Sequence, residues 1–246
     1  DLLQDLDDVT VEFHQEGRLP QDYDLVHIFR ADFSLWPLTV HLQSQGIPYW
    51  VTPIFYSSHQ ASAIQLRLTL SHWVRKIYSG MRSNFDYTRD IVLGAERVLA
   101  NTQEEIQLIG DAFGVPSHRF DYLKNGIHPI FRAPFDSLDK DHHLPTQNYF
   151  LTTGQLSNPR KNTLQLLLAF REIGSDHPLL LIGDFNSSTY SQKCLAIIHG
   201  CDHIFHLSKM NSHSHLYLLS LRHAQCYIQA SLFETPGLSA LEASAM

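Results

Sequence analysis

The chain has 246 residues, of which 43% are hydrophobic and 17% charged, so it is globular and long enough for two domains of ordinary size. Its net charge of −7 argues against a nucleic-acid-binding protein, which normally presents a basic face. No apolar run approaches the ~20 residues that a membrane-spanning helix needs, and three scattered cysteines (Cys194, Cys201 and Cys226) indicate a reducing compartment, so we expect a cytoplasmic location.

Short apolar runs alternate with longer amphipathic segments, a pattern typical of parallel strands joined by crossover helices. In the first half we predict strands at residues 9–13, 24–29, 49–54 and 97–100. A helix runs through residues 38–42. Another is predicted at residues 103–113, and we expect Thr102 to be its N-cap because its hydroxyl can accept a bond from a free backbone N–H.

Residues 132–147 lose this periodicity and contain Pro134 and Pro145, which is typical of a linker. Beyond it we predict strands at residues 149–153, 178–182, 204–207 and 224–229, and helices at 163–173, 191–198, 216–221 and from 238 onward. The sequence therefore predicts an α/β protein with two doubly wound, Rossmann-like parallel-sheet domains, residues 1–135 and 146–246, and a cleft between them.

The end of the chain carries a candidate ligand site. A loop with Glu234 follows the predicted strand 224–229, and Gly237 and Leu238 then open a helix. Free backbone N–H groups at Gly237 and Leu238 favour an anion, and the glycine allows a phosphate to approach closely. Glu234 can accept hydrogen bonds from sugar hydroxyls, and Glu242 can accept both hydroxyls of a ribose. The spacing alone establishes nothing, because Glu96 and Glu104 share it without a glycine before a helix.

A second candidate segment follows the predicted strand 149–153. Gly154 makes a turn, and two adjacent cations, Arg160 and Lys161, come at a predicted helix start. Such pairs are usually solvated, but cations at a helix N-terminus are electrostatically misplaced unless an anion lies between them and the amides. A diphosphate is such an anion, since Arg can form two parallel hydrogen bonds with it and Lys adds a point charge.

The segments 100–102, 123–127 with Phe131, 154–162 and 234–243 resemble, in this order, motifs of family 4 of the retaining glycosyltransferases, which have the GT-B fold. The resemblance implies transfer of a hexose from a nucleotide-diphosphate sugar to a glycan, lipid-linked or other acceptor, with retention of configuration. It implies that the donor contacts are Gly154, Arg160, Lys161, Glu234, Gly237, Leu238 and Glu242, of which Arg160, Lys161 and Glu234 are catalytic. Gln155 departs from the family, where many members carry a phosphate-binding arginine.

The resemblance also implies that a first strand with a glycine-rich loop and the last strand and helices lie outside this sequence. We therefore expect the chain alone to bind donor weakly. Two alternatives remain open. One is a catalytically silent relative that binds a nucleotide sugar or serves as a partner subunit. The other is a GT-B isomerase or phosphorylase that uses the same cleft.

The chain has 16 histidines, a number that could allow a metal site. His199, His203 and His206 lie near Cys194 and Cys201, but without the tight paired spacings of closed zinc sites. Asp-x-Asp patterns at residues 5–7, 22–24 and 139–141 are attributed to chance in a chain with 17 Asp residues. We expect no metal and no other cofactor, since the nucleotide sugar is the substrate.

Residues 66–85 carry Arg67, Arg75, Lys76 and Arg82 and no acidic residue, interleaved with Trp73 and Tyr78. An ordinary helix with a solvated basic face accounts for this pattern. The alternative is contact with an anionic membrane surface or a lipid-linked acceptor, for which mixed basic and aromatic residues are suited. The alternative would place the protein at the cytoplasmic face of a membrane.

Overall fold

A computed structural model describes residues 9–13, 23–78, 80–132, 144–145, 148–234 and 237–246. The chain divides into two compact units, Asp1–Leu123 and Lys124–Met246. Each unit contains a four-stranded sheet in which the paired strands are parallel. The predicted α/β class with two parallel-sheet units is confirmed. Most of the predicted linker, residues 132–147, lies outside the described part of the chain.

The first unit has strands β1 (Val26–Phe29), β2 (Tyr49–Thr52), β3 (Arg97–Ala100) and β4 (Phe120–Tyr122), which are neighbours in that order. Its helices are α1 (Trp36–Ser44), α2 (Ala61–Ile77), α3 (Asn84–Gly94) and α4 (Gln103–Phe113). Strand and helix side chains form one buried core, which includes Ile28, Val51 and Val98 from the sheet and Ile64, Ile91 and Ile109 from the helices.

Three features of this unit differ from the sequence predictions. Residues 9–13 form no strand, and Phe13 is 92% exposed, because apolar alternation makes a strand only where a neighbour accepts its hydrogen bonds. The short strand β4 was not predicted, since its three residues carry a central aspartate. The basic segment 66–85 is split between two helices, because Ser83 and Asp86 form a capping box that starts α3.

The predicted start of α4 is confirmed. The Thr102 hydroxyl accepts a 3.0 Å hydrogen bond from the backbone N–H of Glu105. The Glu105 carboxylate is buried and accepts bonds from the backbone N–H groups of Phe55, at 2.7 Å, and Asn101, at 2.8 Å. This one side chain therefore ties together the loops that follow β2 and β3.

The second unit has strands β5 (Tyr149–Thr153), β6 (Leu179–Ile182), β7 (Ile204–Leu207) and β8 (Ala224–Tyr227). Its helices are α5 (Thr163–Ile173), α6 (Thr189–His199), α7 (His215–His223) and α8 (Leu238–Ser244). Each predicted element of this half is present, with ends shifted by at most a few residues. Of the helices described in the two units, none is long and apolar enough to cross a membrane.

Helices cover both faces of the second sheet. Leu180 and Ile182 of β6 pack in one core cluster with Leu218 of α7. Leu179 and Leu181, which point to the opposite face, pack in another cluster with Leu167 of α5. A strand that is buried on both faces reads as a continuous apolar run, which is why Leu179–Ile182 has no polar residue. The second unit is therefore doubly wound, as predicted.

The strand order of this sheet is β7-β6-β5-β8. The chain builds outward from β5 through β6 to β7 and then returns to place β8 on the other side of β5. The loops after β5 and β8 consequently leave their strands in different directions, which opens a crevice at the carboxyl ends of the two strands. We call this place the switch point of the sheet. The segments 154–162 and 230–237 both begin at this edge.

Candidate functional site

The β5 side of the site begins with a glycine turn. Gly154 has a φ of 131°, a conformation that other residues rarely adopt. A Cβ at this position would lie 3.5 Å from Cε of Lys161, whose side chain passes over the glycine. Gly183 at the end of β6 packs against the Gly154 carbonyl so closely that a Cβ would overlap it. The turn therefore favours glycine at position 154 for its backbone angle, and at position 183 because the Gly154 carbonyl leaves no room for a Cβ.

Arg160 and Lys161 lie in a short 3₁₀ turn, Pro159–Lys161, and not in the helix that follows. The Asn158 side chain accepts a 3.0 Å hydrogen bond from the Arg160 backbone N–H, and Asn162 adopts a left-handed conformation with a φ of 57° before α5 begins. Both cations therefore lie in a turn of their own, directly before the predicted start of the helix at Thr163. Asn158 caps the start of this turn and Asn162 ends it, because Asn both caps such turns and tolerates a positive φ.

The structure brings Arg160, Lys161 and Glu234 together, and we call these three side chains the charged cluster. One guanidinium nitrogen of Arg160 donates to Glu234 Oε2 at 2.8 Å, and Lys161 Nζ donates to Oε1 at 2.6 Å. Arg160 also donates to the Phe233 carbonyl at 2.7 Å, and its own carbonyl accepts from Leu232 N–H at 2.9 Å. The loops after β5 and β8 are therefore joined across the crevice by both charge and backbone.

The charged cluster is largely shielded from water, with side-chain exposures of 17% for Arg160, 18% for Lys161 and 17% for Glu234. Burial raises the pKa of Glu234, but the hydrogen bonds from Lys161 and Arg160 outweigh it and hold this pKa below its usual value. Two cations and one carboxylate leave one positive charge in excess. A ligand anion can bind to this excess charge, or it can displace Glu234 from the two cations.

Glu242 lies in α8, and a network of hydroxyl groups surrounds it. Tyr217 donates a 3.0 Å hydrogen bond to Glu242 Oε2, and its hydroxyl lies 3.3 Å from that of Thr153 at the end of β5. The Tyr227 hydroxyl lies 3.2 Å from the same threonine hydroxyl. Burial raises the pKa of Glu242, which the bond from Tyr217 and the nearby His213 only partly offset. One oxygen of this carboxylate is thus held by Tyr217.

Gly237 is the residue before α8 and provides no side-chain cap. A Cβ at Gly237 would overlap the side-chain amide of Gln229, which lies directly against the glycine. That amide is the end of a flexible side chain, so the contact alone does not require glycine, and the approach of a phosphate at Gly237 stays a prediction. Leu238 is the first residue of α8 and is 47% exposed. Thr235 and Pro236 lie outside the described residues.

Little room remains inside the crevice itself. The hollow between the ends of β5 and β8 measures about 10 Å³ and is lined by Thr153, Lys161, Tyr227 and Gln229, among others. This volume suits about one water molecule. A ligand of the size of a diphosphate therefore has to lie outside the hollow, against the loops that carry the charged cluster.

Sequence reasoning missed several side chains of this site. Thr153, Tyr217, Tyr227 and Gln229 all lie in predicted strands and helices, and no sequence pattern assigned a role to any of them. The signal that could have found them is hydroxyl groups at apolar positions beside the switch point, since a buried tyrosine hydroxyl needs a partner. Tyr217 is only 5% exposed.

The described residues contain no group of three or more His, Cys, Asp or Glu side chains placed to hold a metal ion. His203 and His206 instead bond to the backbone carbonyls of Phe170, at 3.0 Å, and Gly183, at 2.7 Å. The Asp-x-Asp patterns lie wholly or partly outside the described residues.

These two units have the fold found in GT-B glycosyltransferases. Sucrose-phosphate synthase from Thermosynechococcus elongatus is similar, with a TM-score of 0.64 and 16% identity over 90% of this chain and 54% of that chain. HepE from Anabaena, solved in complex with UDP-glucose, has a TM-score of 0.64 and 14% identity over 91% of this chain and 58% of that one. The galactosyltransferase WaaB has a TM-score of 0.56 and 16% identity, covering 90% and 54%.

This chain thus spans little more than half the length of these three proteins. No protein-family model matches the sequence, and a search of curated proteins returns no match. At identities of 14–16% the likeness establishes the fold and not the reaction.

Proposed function

We propose that this chain is part of a glycosyltransferase of the retaining family 4 type, which transfers a hexose from a nucleotide-diphosphate sugar to a glycan, lipid-linked or other acceptor. The observation that carries the proposal is the charged cluster of Arg160, Lys161 and Glu234 at the switch point of the second sheet. Ligands of open α/β sheets bind at this place. The similar HepE structure holds UDP-glucose, which supports a nucleotide-sugar donor.

In this proposal the diphosphate lies against Arg160 and Lys161. Arg160 donates to the phosphate oxygens in a fixed planar geometry, and Lys161 adds a point charge. Gly154 lies beneath Lys161, whose Nζ is 3.6 Å from where a Cβ would stand, an ordinary van der Waals distance. Gln155 contributes no charge, so Arg160 has the main role in binding the anion.

The carboxylates have separate roles. Glu234 accepts hydrogen bonds from the sugar hydroxyls, and it exchanges part of its contact with the two cations for contact with the donor. Glu242 binds the ribose with the oxygen that Tyr217 leaves free, which assigns Tyr217 the task of orienting it. Gly237 and Leu238 contribute backbone N–H groups to the same ligand.

Negative charge builds up on the departing diphosphate in the transition state. Arg160 and Lys161 stabilise that charge, and because they are fixed before the reaction, little reorganisation is needed. Two protein cations can supply the stabilisation that a divalent metal provides in other glycosyltransferases, so we propose a metal-independent reaction. We propose a cytoplasmic location because soluble nucleotide sugars are the donors.

Isothermal titration with UDP, GDP, ADP and dTDP, each with and without its sugar, tests the donor site and identifies the base. We expect one nucleoside diphosphate to bind, and Arg160→Ala to weaken it at least tenfold. Arg171→Ala, a surface arginine of the same unit, is the matched control and should leave affinity unchanged. Equal affinity for the wild type and Arg160→Ala would refute the proposed site.

A catalytically silent relative or partner subunit is the second candidate, favoured by the neutral Gln155. Donor hydrolysis distinguishes the two. An enzyme should release sugar from its donor slowly without an acceptor, and Glu234→Ala should abolish this release. Binding without release, in the full-length protein with acceptor supplied, would favour the silent relative. Product analysis without acceptor separates an isomerase from both.

A further inference from the structure

The outward face of α2 carries a row of large apolar side chains. Ile64 and Leu68 are buried and hold the inner face of the helix against the core of the first unit. The row on the opposite face recurs at intervals of four, three and four residues, which places its members along one line of the helix. Its members and their exposed fractions are Leu66 61%, Leu70 55%, Trp73 60% and Ile77 77%.

The row continues past the end of the helix. Tyr78 is 65% exposed and Met81 59% exposed, so exposed apolar side chains continue into the residues that follow the helix. We call Leu66, Leu70, Trp73, Ile77, Tyr78 and Met81 the α2 apolar row. Single exposed apolar residues are normal on a protein, but a contiguous set of this kind marks an interaction surface.

The charges around the row are of one sign. Between Asp32 and Asp86 the sequence contains no Asp or Glu, although the whole chain has 25 of them. Arg67 borders the row on one side and Lys76 on the other, since each is one position from a member of the row. Neither cation has a carboxylate partner within the described part of the chain, and Lys76 Nζ lies 4.4 Å from the Trp73 ring centroid.

Two other cations of the same segment are already engaged. Arg75 pairs with the buried Asp86 at 3.1 Å, and Arg82 pairs with Asp90. Arg82 also lies over the ring of Trp36, 4.5 Å from its centroid. These two arginines therefore stabilise the fold. Arg67 and Lys76 have no carboxylate partner among the described residues, and the Arg67 guanidinium carbon lies 6.0 Å from the Phe85 ring centroid.

We propose that the α2 apolar row docks on an anionic lipid surface, with α2 lying in the plane of the interface. A helix of 17 residues is about 25 Å long, and its apolar face reaches the acyl boundary while flanking cations meet the lipid phosphates. Trp73 and Tyr78 have the amphipathic rings that lie at headgroup level. A lipid surface offers negative charge on both sides of the helix, which matches Arg67 and Lys76.

This proposal does not depend on the donor site, because the row belongs to the first unit and the charged cluster to the second. Vesicle co-sedimentation tests it, with phosphatidylcholine vesicles that contain phosphatidylglycerol and with vesicles of phosphatidylcholine alone. We expect binding to the anionic vesicles that weakens as salt is raised. Binding should be at least tenfold weaker to the neutral vesicles.

Two pairs of variants separate charge from apolar contact. Arg67→Gln with Lys76→Gln should weaken binding about 30-fold, at about fivefold per lost charge. Its control, Arg171→Gln with Lys193→Gln, removes the same charge from exposed helix positions of the second unit and should have no effect. Leu70→Glu should abolish binding, whereas Ile173→Glu, at a helix residue that is 53% exposed, should not.

The fluorescence of Trp73 reports directly on insertion of α2 into the lipid surface. Its fluorescence should shift to the blue with anionic vesicles and be quenched by brominated lipids, and Trp73→Phe should lose both signals. Equal binding to neutral and anionic vesicles, or none to either, would overturn the proposal. So would concentration-dependent self-association that Leu70→Glu removes without any vesicle binding, since the row would then be a protein interface.

Discussion

Glu234→Gln removes the charge that Arg160 and Lys161 share while it keeps the shape of the side chain. Hydrogen bonds to charged groups contribute about 1.5–3 kcal/mol each. Glutamine keeps one acceptor oxygen, and the cluster is 17–18% exposed and therefore partly screened, so we expect a net loss of about 1–3 kcal/mol in the free energy of unfolding. For a unit of about 120 residues, a loss of this size should lower the melting temperature by roughly 3–15 °C.

The same substitution should strengthen the binding of a bare anion. The cluster changes from an excess of one positive charge to two, because the single carboxylate is lost. At about 5 Å and an effective dielectric of about 20, one unit charge contributes about 3 kcal/mol. Partial exposure reduces this to about 1–2 kcal/mol, so pyrophosphate should bind roughly 5–30 times more tightly. A donor that carries its sugar should gain less, because it loses the hydroxyl contacts of Glu234.

Calorimetric titration with pyrophosphate, UDP and UDP-glucose measures this difference, and thermal unfolding measures the loss of stability. Glu172→Gln is the matched control, since Glu172 is 76% exposed and pairs with Arg171 only at 3.5 Å. Glu234 has a lowered pKa, so its stabilisation is present above the ordinary glutamate pKa and is lost as the pH falls through the folded-state pKa. Wild type and variant should therefore converge in acid. Pyrophosphate binding that is unchanged or weaker in Glu234→Gln would refute the role of the cations.

Three further changes test other parts of the structure. Gly154→Ala and Gly174→Ala both place a side chain at positive φ, 131° and 91°, so each should cost about 1–3 kcal/mol. Only the first strains the turn that lies against Lys161, so only the first should weaken pyrophosphate binding, and equal loss of binding in both would contradict this. Tyr217→Phe removes the hydrogen bond that lowers the pKa of Glu242, so this already raised pKa should rise further. Donor affinity should then decline on acidification at a higher pH than in the wild type. An unshifted pH profile would argue against Tyr217 as the orienting group. Glu105→Ala leaves the N–H groups of Phe55 and Asn101 without their acceptor and should cost about 2–5 kcal/mol in urea unfolding, against less than 1 kcal/mol for the exposed Glu104→Ala.

The sequence predicted the second unit better than the first. Its strands are short apolar runs, and a glycine follows two of them. Because these runs alternate with amphipathic helical segments, the pattern identified each run as a strand. Residues 9–13 show the opposite case, since alternation specifies a strand only when a neighbour exists. Pairing is a property of the whole sheet, and no local pattern encodes it.

The site was predictable in part for the same reason. Arg160, Lys161 and Glu234 could be named from their motifs, but the sequence could not show that the carboxylate would bind both cations. That contact depends on β8 returning to the side of β5. The role of Tyr217 could not be predicted either. A tyrosine in an amphipathic helix is usually a core residue, and the sequence does not show that its hydroxyl contacts Glu242.

The return of β8 also bears on how the second unit folds. The Arg160–Glu234 pair joins residues 74 positions apart. The long loop between them has to close, at a cost in chain entropy, before this ion pair can stabilise the fold. Contacts of such sequence separation form late and slow the search for the native state. The site is therefore absent from any intermediate that lacks β8. A ligand that binds there should slow unfolding and leave the rate of folding nearly unchanged.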